Sequence, residues 1–205
     1  MVNLIQKTNQ IKGNELLLLN DPQKVWLVQS GSLAVFTTLF EGSEPKGSRR
    51  YLFSVNAGEA LFGATPKQQR GILAVALEET ELFTLEFDEL TVGDGEAIAL
   101  IQTWIHHLGK SLIAHNLTTP DNPIQTDGEQ YLYLQKGQAL QTDPETVTWV
   151  KLQQGETSWM GIEQLKLNPT SPIFPLAPGM WLQAEEEVEL QLVTQNQQYD
   201  QLPIT

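Results

Sequence analysis

The residue types best suited to chemistry in this chain lie between Gly58 and Arg70, where Gly58-Glu59-Ala60-Leu61-Phe62-Gly63 is followed by an arginine just before an apolar run. A residue without a side chain, such as Gly63, lets backbone N–H groups approach an anion. A nearby arginine adds charge and a two-pronged donor. On this reading Gly58, Glu59, Phe62, Gly63 and Arg70 form a candidate site for a small anion. The plainer reading of the same residues is two glycines that only make tight turns.

Other constellations carry less. Gly109-Lys110-Ser111 looks like the end of a phosphate-binding P-loop, but that motif needs a glycine five residues before Gly109, where Trp104 stands. The three histidines are His106, His107 and His115. Adjacent helical residues point about 100° apart, so His106 and His107 do not readily share a metal, and His115 lies too far along for the same ion. The chain has no Cys. Zinc, iron or manganese chemistry therefore lacks its usual ligands. The glutamate runs Glu78-Glu79 with Glu81 and Glu185-Glu186-Glu187 with Glu189 end apolar segments, as solvated turns do. No Ser-His-Asp set assembles. The expectation is a chain that is not an enzyme and carries no cofactor.

The bulk numbers describe a soluble, acidic chain. The chain has 205 residues and a formal charge of −13, and its one basic doublet is Arg49-Arg50. Nucleic acid is a poor partner for such a surface, because no cationic stripe displaces phosphate counterions. No apolar run nears the roughly 18 residues a membrane span needs. Met1 to Asn14 lacks the apolar centre of a signal peptide. A cytoplasmic chain without its own membrane span is expected.

The elements that must position these residues are mostly strands. From Glu15 to Leu90 short apolar runs alternate with Gly, Pro, Asn and Ser about every ten residues, the rhythm of a sandwich or small barrel. Glu41 to Ser48 reads as a polar connection, and Leu61 to Arg70 as a loop opening with a helical turn. After Asp94, a plausible N-cap, Ala97, Ile101, Trp104, Leu108 and Leu112 recur at helical steps, which predicts an amphipathic helix over about 94–115. Gly109 inside it costs roughly 1 kcal/mol relative to Ala. Its apolar stripe is expected to pack on a β module, with a homodimer contact as the alternative. Residues 118–129 read as a linker. Strand signals return over 130–205, and the four prolines from Pro169 to Pro178 demand an extended loop or an edge strand.

The strand-rich halves also resemble each other. Val25–Gly31, Tyr51–Glu59 and Gly71–Glu79 match Tyr131–Gly137, Val147–Glu156 and Gly179–Glu187 in order. The last pair is the firmest, because Glu79/Glu187, Glu81/Glu189 and Leu82/Leu190 keep the spacing of Gly71/Gly179. Such a pattern implies two copies of one β module, with function to be sought where the copies differ.

At Phe62-Gly63 and Arg70 the chain resembles cyclic-nucleotide-binding β-roll domains, whose motif runs Gly-Asp/Glu-x-Phe-Gly-Glu, a short helix and an arginine. Ala64 stands where that family's ribose-binding glutamate belongs, and the Gly-to-Arg interval is short. More of the chain, about Leu16 to Val193, is similar to the amino-terminal region of ATP-binding/permease subunits in NHLM-type bacteriocin exporters. The matching stretches are Val25–Phe36, Gly47–Phe53, Gly58–Gly63, the helix around Trp104-Ile105, Phe174-Pro175-Leu176 and Trp181-Leu182. These resemblances imply a mainly β fold of two cupin-like or cyclic-nucleotide-binding-like β-rolls of jelly-roll type, joined by a long amphipathic helix. The first would cover 1–117 with its helix, and the second, degenerate roll 130–205. They further imply a regulatory or docking domain of a peptide exporter. Its expected partners are the transporter's transmembrane and nucleotide-binding domains, a leader peptide or a small anion. A working cyclic-nucleotide sensor and a cupin-type enzyme are the alternatives.

Overall fold

The computed structural model describes residues 7–90, 95–113, 120–125, 131–142 and 146–193. Strands dominate these residues, as the alternation of apolar and polar side chains requires. The chain divides into two compact units, Met1–His107 and Leu108–Thr205. The division falls within the helix α1 (Gly95–Ile113).

The first unit contains β1 (Lys7–Ile11), β2 (Leu16–Leu18), β3 (Lys24–Ser30), β4 (Ser32–Glu41), β5 (Glu44–Asn56), β6 (Ala60–Phe62), β7 (Arg70–Ala76) and β8 (Thr80–Glu86). They form two four-stranded sheets, ordered β1-β8-β3-β6 and β2-β7-β4-β5. Val25, Leu33, Val35, Val55, Leu61, Leu73 and Leu82 are fully buried between and around these sheets. At about 25 cal/mol per Å² of apolar surface removed from water, each contributes on the order of 1.5–3 kcal/mol.

The second unit contains β9 (Ile124–Gln125), β10 (Tyr131–Leu134), β11 (Ala139–Gln141), β12 (Thr148–Gln154), β13 (Thr157–Trp159), β14 (Ile162–Leu167), β15 (Phe174–Leu176), β16 (Trp181–Ala184) and β17 (Val188–Val193). Its sheets are ordered β10-β17-β12-β15 and β14-β13-β16-β11-β9. Apart from β9, each strand has a counterpart at the same place in the first unit's order. Local details repeat as well. The ladder of β3 with β8 is bulged between Val28 and Ser30, and that of β12 with β17 between Leu152 and Gln154. The Asn14 N–H donates to the Ala76 carbonyl at 2.7 Å, and the Gly137 N–H to the Ala184 carbonyl at 2.8 Å.

This register corrects part of the sequence alignment. The match of Gly71–Glu79 with Gly179–Glu187 holds, since Glu81 faces Ser30 as Glu189 faces Gln154. The counterpart of Val25–Gly31 is the segment ending at Gly155, not Tyr131–Gly137, which instead corresponds to β1 and its turn. Tyr51–Glu59 loses its partner for the same reason. Glycine-ended strands recur at every hairpin, so slipping by one hairpin preserves the local pattern while breaking the sheet order.

Three local expectations also change. Glu41 to Ser48 is not a free connection: β4 and β5 run on as one hairpin, turning at Gly42 with φ of 65°. Its polarity reflects exposure of the hairpin tip. Leu61 to Arg70 contains no helical turn; β6 ends at Phe62 and an extended stretch follows. Within the expected linker, Ile124–Gln125 pairs in parallel with β11. Pro175 lies in β15, at the edge of its sheet, as a residue without an N–H must. Asp94 and the expected helix end at 114–115 fall outside the described residues.

Two glycines have steric reasons. Gly31 has φ of 82°, and an added Cβ would lie 2.5 Å from Thr80 Oγ1 and 2.7 Å from the Glu79 carbonyl oxygen. Gly155, its counterpart, has φ of 85° and would strike the Glu187 carbonyl. Gly109 is helical, but a Cβ there would collide with Ala177 Cβ and lie 3.0 Å from Met180 Cε. The helix-propensity cost noted above is thus the condition for close packing on the Ala177–Met180 turn.

Two outcomes test this in thermal or urea unfolding. Gly31→Ala is expected to destabilise by more than the roughly 1–2 kcal/mol that a left-handed residue costs, whereas Gly42→Ala, with nothing within 4 Å, should cost no more than that. Gly109→Ala is expected to destabilise despite a helix-propensity gain of about 1 kcal/mol; a stabilised variant would show that the collision is relieved by a small helix shift.

Candidate functional site

The five residues singled out in the sequence fall into four surroundings in the first unit. Gly58 (φ of 87°) and Glu59 form the turn after β5 and line a cavity of ≈ 330 Å³ with Leu27, Leu100 and Thr103. Glu59 is engaged twice: one carboxylate oxygen accepts the Asn56 N–H at 2.7 Å and the other lies 3.1 Å from His107 Nε2. Both partners of the His107–Glu59 pair are about three-quarters buried, at 25% and 24% side-chain exposure.

Phe62 points into an aromatic cluster. Its ring lies 5.8 Å from Trp104 and 6.3 Å from Phe87, while Phe53 packs edge-on against Trp104 at 5.1 Å and stacks on His107 at 5.1 Å and 13°. Edge-to-face and offset pairs of this kind add roughly 0.5–1.5 kcal/mol each beyond burial. Phe62 therefore serves the docking of α1 on β5 and β6, and is not left free for a ligand.

Gly63 needs to be glycine because its position abuts the Asp21 backbone, where any Cβ would overlap the carbonyl. Its N–H donates to the Lys24 carbonyl at 3.1 Å, and the Ala64 N–H donates to Leu19 at 3.0 Å. The backbone donors at this close approach, which an anion would need, are thus already taken by protein carbonyls. The correction has a simple cause: a close approach that favours glycine can be made by backbone as well as by ligand.

Arg70 stands apart, exposed at the start of β7, above a depression of ≈ 390 Å³ lined also by Thr37, Thr65 and Lys67. Lys67 and Arg70 bracket a two-residue turn closed by reciprocal backbone hydrogen bonds of 2.9 and 2.8 Å. Both central residues have positive φ, 50° at Gln68 and 62° at Gln69. That is the signature of a type I′ turn, which prefers Asn-Gly. Leu39 on β4 faces Arg70 on one side and Lys46 on the other, and Thr37 faces Arg50. Directly paired residues share a sheet face. Two of the three arginines thus join Lys46 and Lys67 at one end of this sheet, in a chain of charge −13. Lys46 is paired with Glu41; among the described residues neither Lys67 nor Arg70 has an ion-pair partner.

Sequence reasoning missed Lys67, Thr65 and His107 as members of these groupings. Lys67 had a signal, lying three residues before Arg70; the His107–Glu59 pair, separated by 48 positions, had none. Among the described residues no three His, Asp or Glu side chains gather as metal ligands, and no helix is long and apolar enough to cross a membrane.

No family model matches the chain, and no curated protein matches it. Solved structures do. The CO-dependent transcription factor CooA from Carboxydothermus hydrogenoformans matches at 16% identity and a TM-score of 0.41, over 53% of this chain and 47% of CooA. The reduced CO-sensing protein from R. rubrum matches at 21% identity and 0.40, over 54% of this chain and 50% of that one. The cAMP-bound PfPKA-R matches at 10% and 0.34, over 93% and 71%. The chain thus spans about half the length of the two CO-responsive proteins.

Two variants test the site's construction. Trp104→Ala is expected to cost about 3–5 kcal/mol and to raise amide exchange along the Gly95–His107 half of α1. Replacing Gln68-Gln69 by Asn-Gly is expected to raise stability by about 1 kcal/mol or more, by relieving two residues held at positive φ.

Proposed function

We propose that the first unit is a non-enzymatic, ligand-responsive regulatory module whose ligand is a small anion at Arg70 and Lys67. The observation that carries this is the pair of cations without ion-pair partners among the described residues, flanking an open depression beside Thr65. The turn that sets their spacing holds two glutamines at positive φ. Local strain of this kind is characteristic of sites under functional constraint.

A cyclic nucleotide is the poorer fit. The residue after Gly63 is Ala64, which offers a ribose hydroxyl no carboxylate acceptor, and the Gly63 and Ala64 N–H groups already serve Lys24 and Leu19. Arg70 and Lys67 would hold the anion through side chains alone, a shallow and salt-sensitive mode. The pocket is degenerate from a nucleotide-type ancestor, in a chain built from two copies of one module.

The wider reading is that the chain acts in the cytoplasm as a regulatory or docking region for a peptide-exporting ABC transporter. Support for this comes from the resemblance of Val25–Phe36, Gly47–Phe53 and Gly58–Gly63 to NHLM-type export subunits. Its partners would be the transporter body or a leader peptide, with anion occupancy modulating the contact.

Equilibrium binding of inorganic phosphate, pyrophosphate and cyclic AMP tests the ligand. Phosphate or pyrophosphate is expected to bind saturably in the millimolar range, about −4 kcal/mol, with at least a tenfold loss in Arg70→Ala. Micromolar cyclic AMP binding abolished by the same substitution would overturn the degenerate-pocket reading. Copurification with coexpressed exporter domains tests docking, and its failure would leave the anion site standing while removing the transporter role.

A further inference from the structure

The two units differ most informatively along one strip. By sheet register, Thr8 and Gln10 of β1 correspond to Tyr131 and Tyr133 of β10, since Gln10 faces Glu81 as Tyr133 faces Glu189. Lys12 and Glu15 correspond to Gln135 and Gln138, because in each turn the first residue's N–H is accepted by the side chain three positions on, at 2.9 and 2.7 Å. Ser30 corresponds to Gln154. The carboxylates Glu79 and Glu81 persist as Glu187 and Glu189. The second unit therefore carries two tyrosines and three amides on a strip where the first has a single amide, Gln10, and it keeps two of the first unit's three carboxylates.

The tyrosines are not there for the core. Tyr131 is 46% exposed and Tyr133 70%, and as alternate residues of one strand they leave the sheet on the same side. The Tyr133 hydroxyl donates to Glu189 Oε1 at 3.2 Å across the ladder, which restrains the ring. The charge of Glu189, and then this hydrogen bond, raise the phenol above the ordinary tyrosine value. Beside the ring lies a cavity of ≈ 520 Å³ lined by Tyr133, Gln135, Gln138, Gln154, Glu187 and Glu189 over an apolar floor of Ile124, Leu134 and Val188.

Ligand chemistry follows from the donor and acceptor inventory. An amide side chain both donates and accepts. A phosphate only accepts and would face Glu187 and Glu189. An ammonium group only donates; Glu189 is already engaged by Tyr133, and exposed Glu187 offers roughly 0–1 kcal/mol after screening. A hydroxyl uses both halves of the Gln135 and Gln154 amides and the free N–H of Gln138, whose oxygen accepts the Gln135 N–H, and vicinal hydroxyls match paired amide and carboxylate groups. The apolar C–H face of a sugar ring suits a restrained aromatic ring.

We propose that the second unit carries a binding site for an uncharged polyhydroxylated ligand of the oligosaccharide class, with Tyr131 and Tyr133 as platform and Gln135, Gln138 and Gln154 as the hydrogen-bonding rim. It is independent of the anion site on the first unit.

Isothermal titration of the full chain with maltohexaose, cellohexaose and chitohexaose, each to about 5 mM, is the test. At least one is expected to bind saturably. Tyr133→Ala should weaken that binding at least tenfold, Tyr133→Phe less than about threefold because the ring remains, and Gln154→Ala several-fold. Gln10→Ala, at the matching place in the first unit, should leave it unchanged. Because Tyr133 is exposed, its variants are expected to keep the parent's melting temperature. No binding by any of the three sugars, or binding that survives Tyr133→Ala, overturns the proposal. So does Tyr133-dependent binding of spermidine in place of sugar, which would assign the strip to organic cations.

Discussion

In each unit, one strand-corner glycine lies against the carbonyl of a glutamate on another hairpin, and the rest of that unit's register depends on it. Gly31 sits over Glu79 and Gly155 over Glu187, both at φ above 80°. Neither position has room for a Cβ, so neither corner can move outward without separating its two hairpins. The bulges just before them, at Val28/Ser30 and Leu152/Gln154, are the local adjustment that lets the chain reach the corner with its apolar face still inward.

What the sequence made legible was the kind of element and the firmest pairing. The strand rhythm, the helix centred on Trp104, the edge role of the proline-rich segment and the equivalence of Gly71–Glu79 with Gly179–Glu187 all rest on strong local patterns. The slipped alignment of Val25–Gly31 rested on a pattern equally local but not unique. Glycine after a short apolar strand marks Gly31, Gly58, Gly137 and Gly155 alike, each at positive φ. Only long-range pairing distinguishes them.

The site was less legible, for a related reason. Gly63 signalled a close approach, and one exists, but the approaching group is the Asp21 backbone. Phe62 signalled a motif, yet its ring serves Trp104. Arg70 kept its role as an accessible cation because its side chain is not consumed by the fold, and Lys67 joined it only once the tight turn at Gln68-Gln69 was known. The Tyr-Leu-Tyr-Leu run of β10 announced which residues would be buried. It could not announce that the exposed Tyr133 on that strand would share a cavity with amides from two turns.

Pro175 has a consequence for how the second unit behaves among its own kind. β15 is the terminal strand of its sheet, bonded on one side to β12. The proline at its centre removes a donor from a strand of three residues, Phe174–Leu176. A stranger's strand laid alongside would find an incomplete template. That edge of the sheet is thus guarded against growth into fibrils by one missing hydrogen, without any charged residue being spent there.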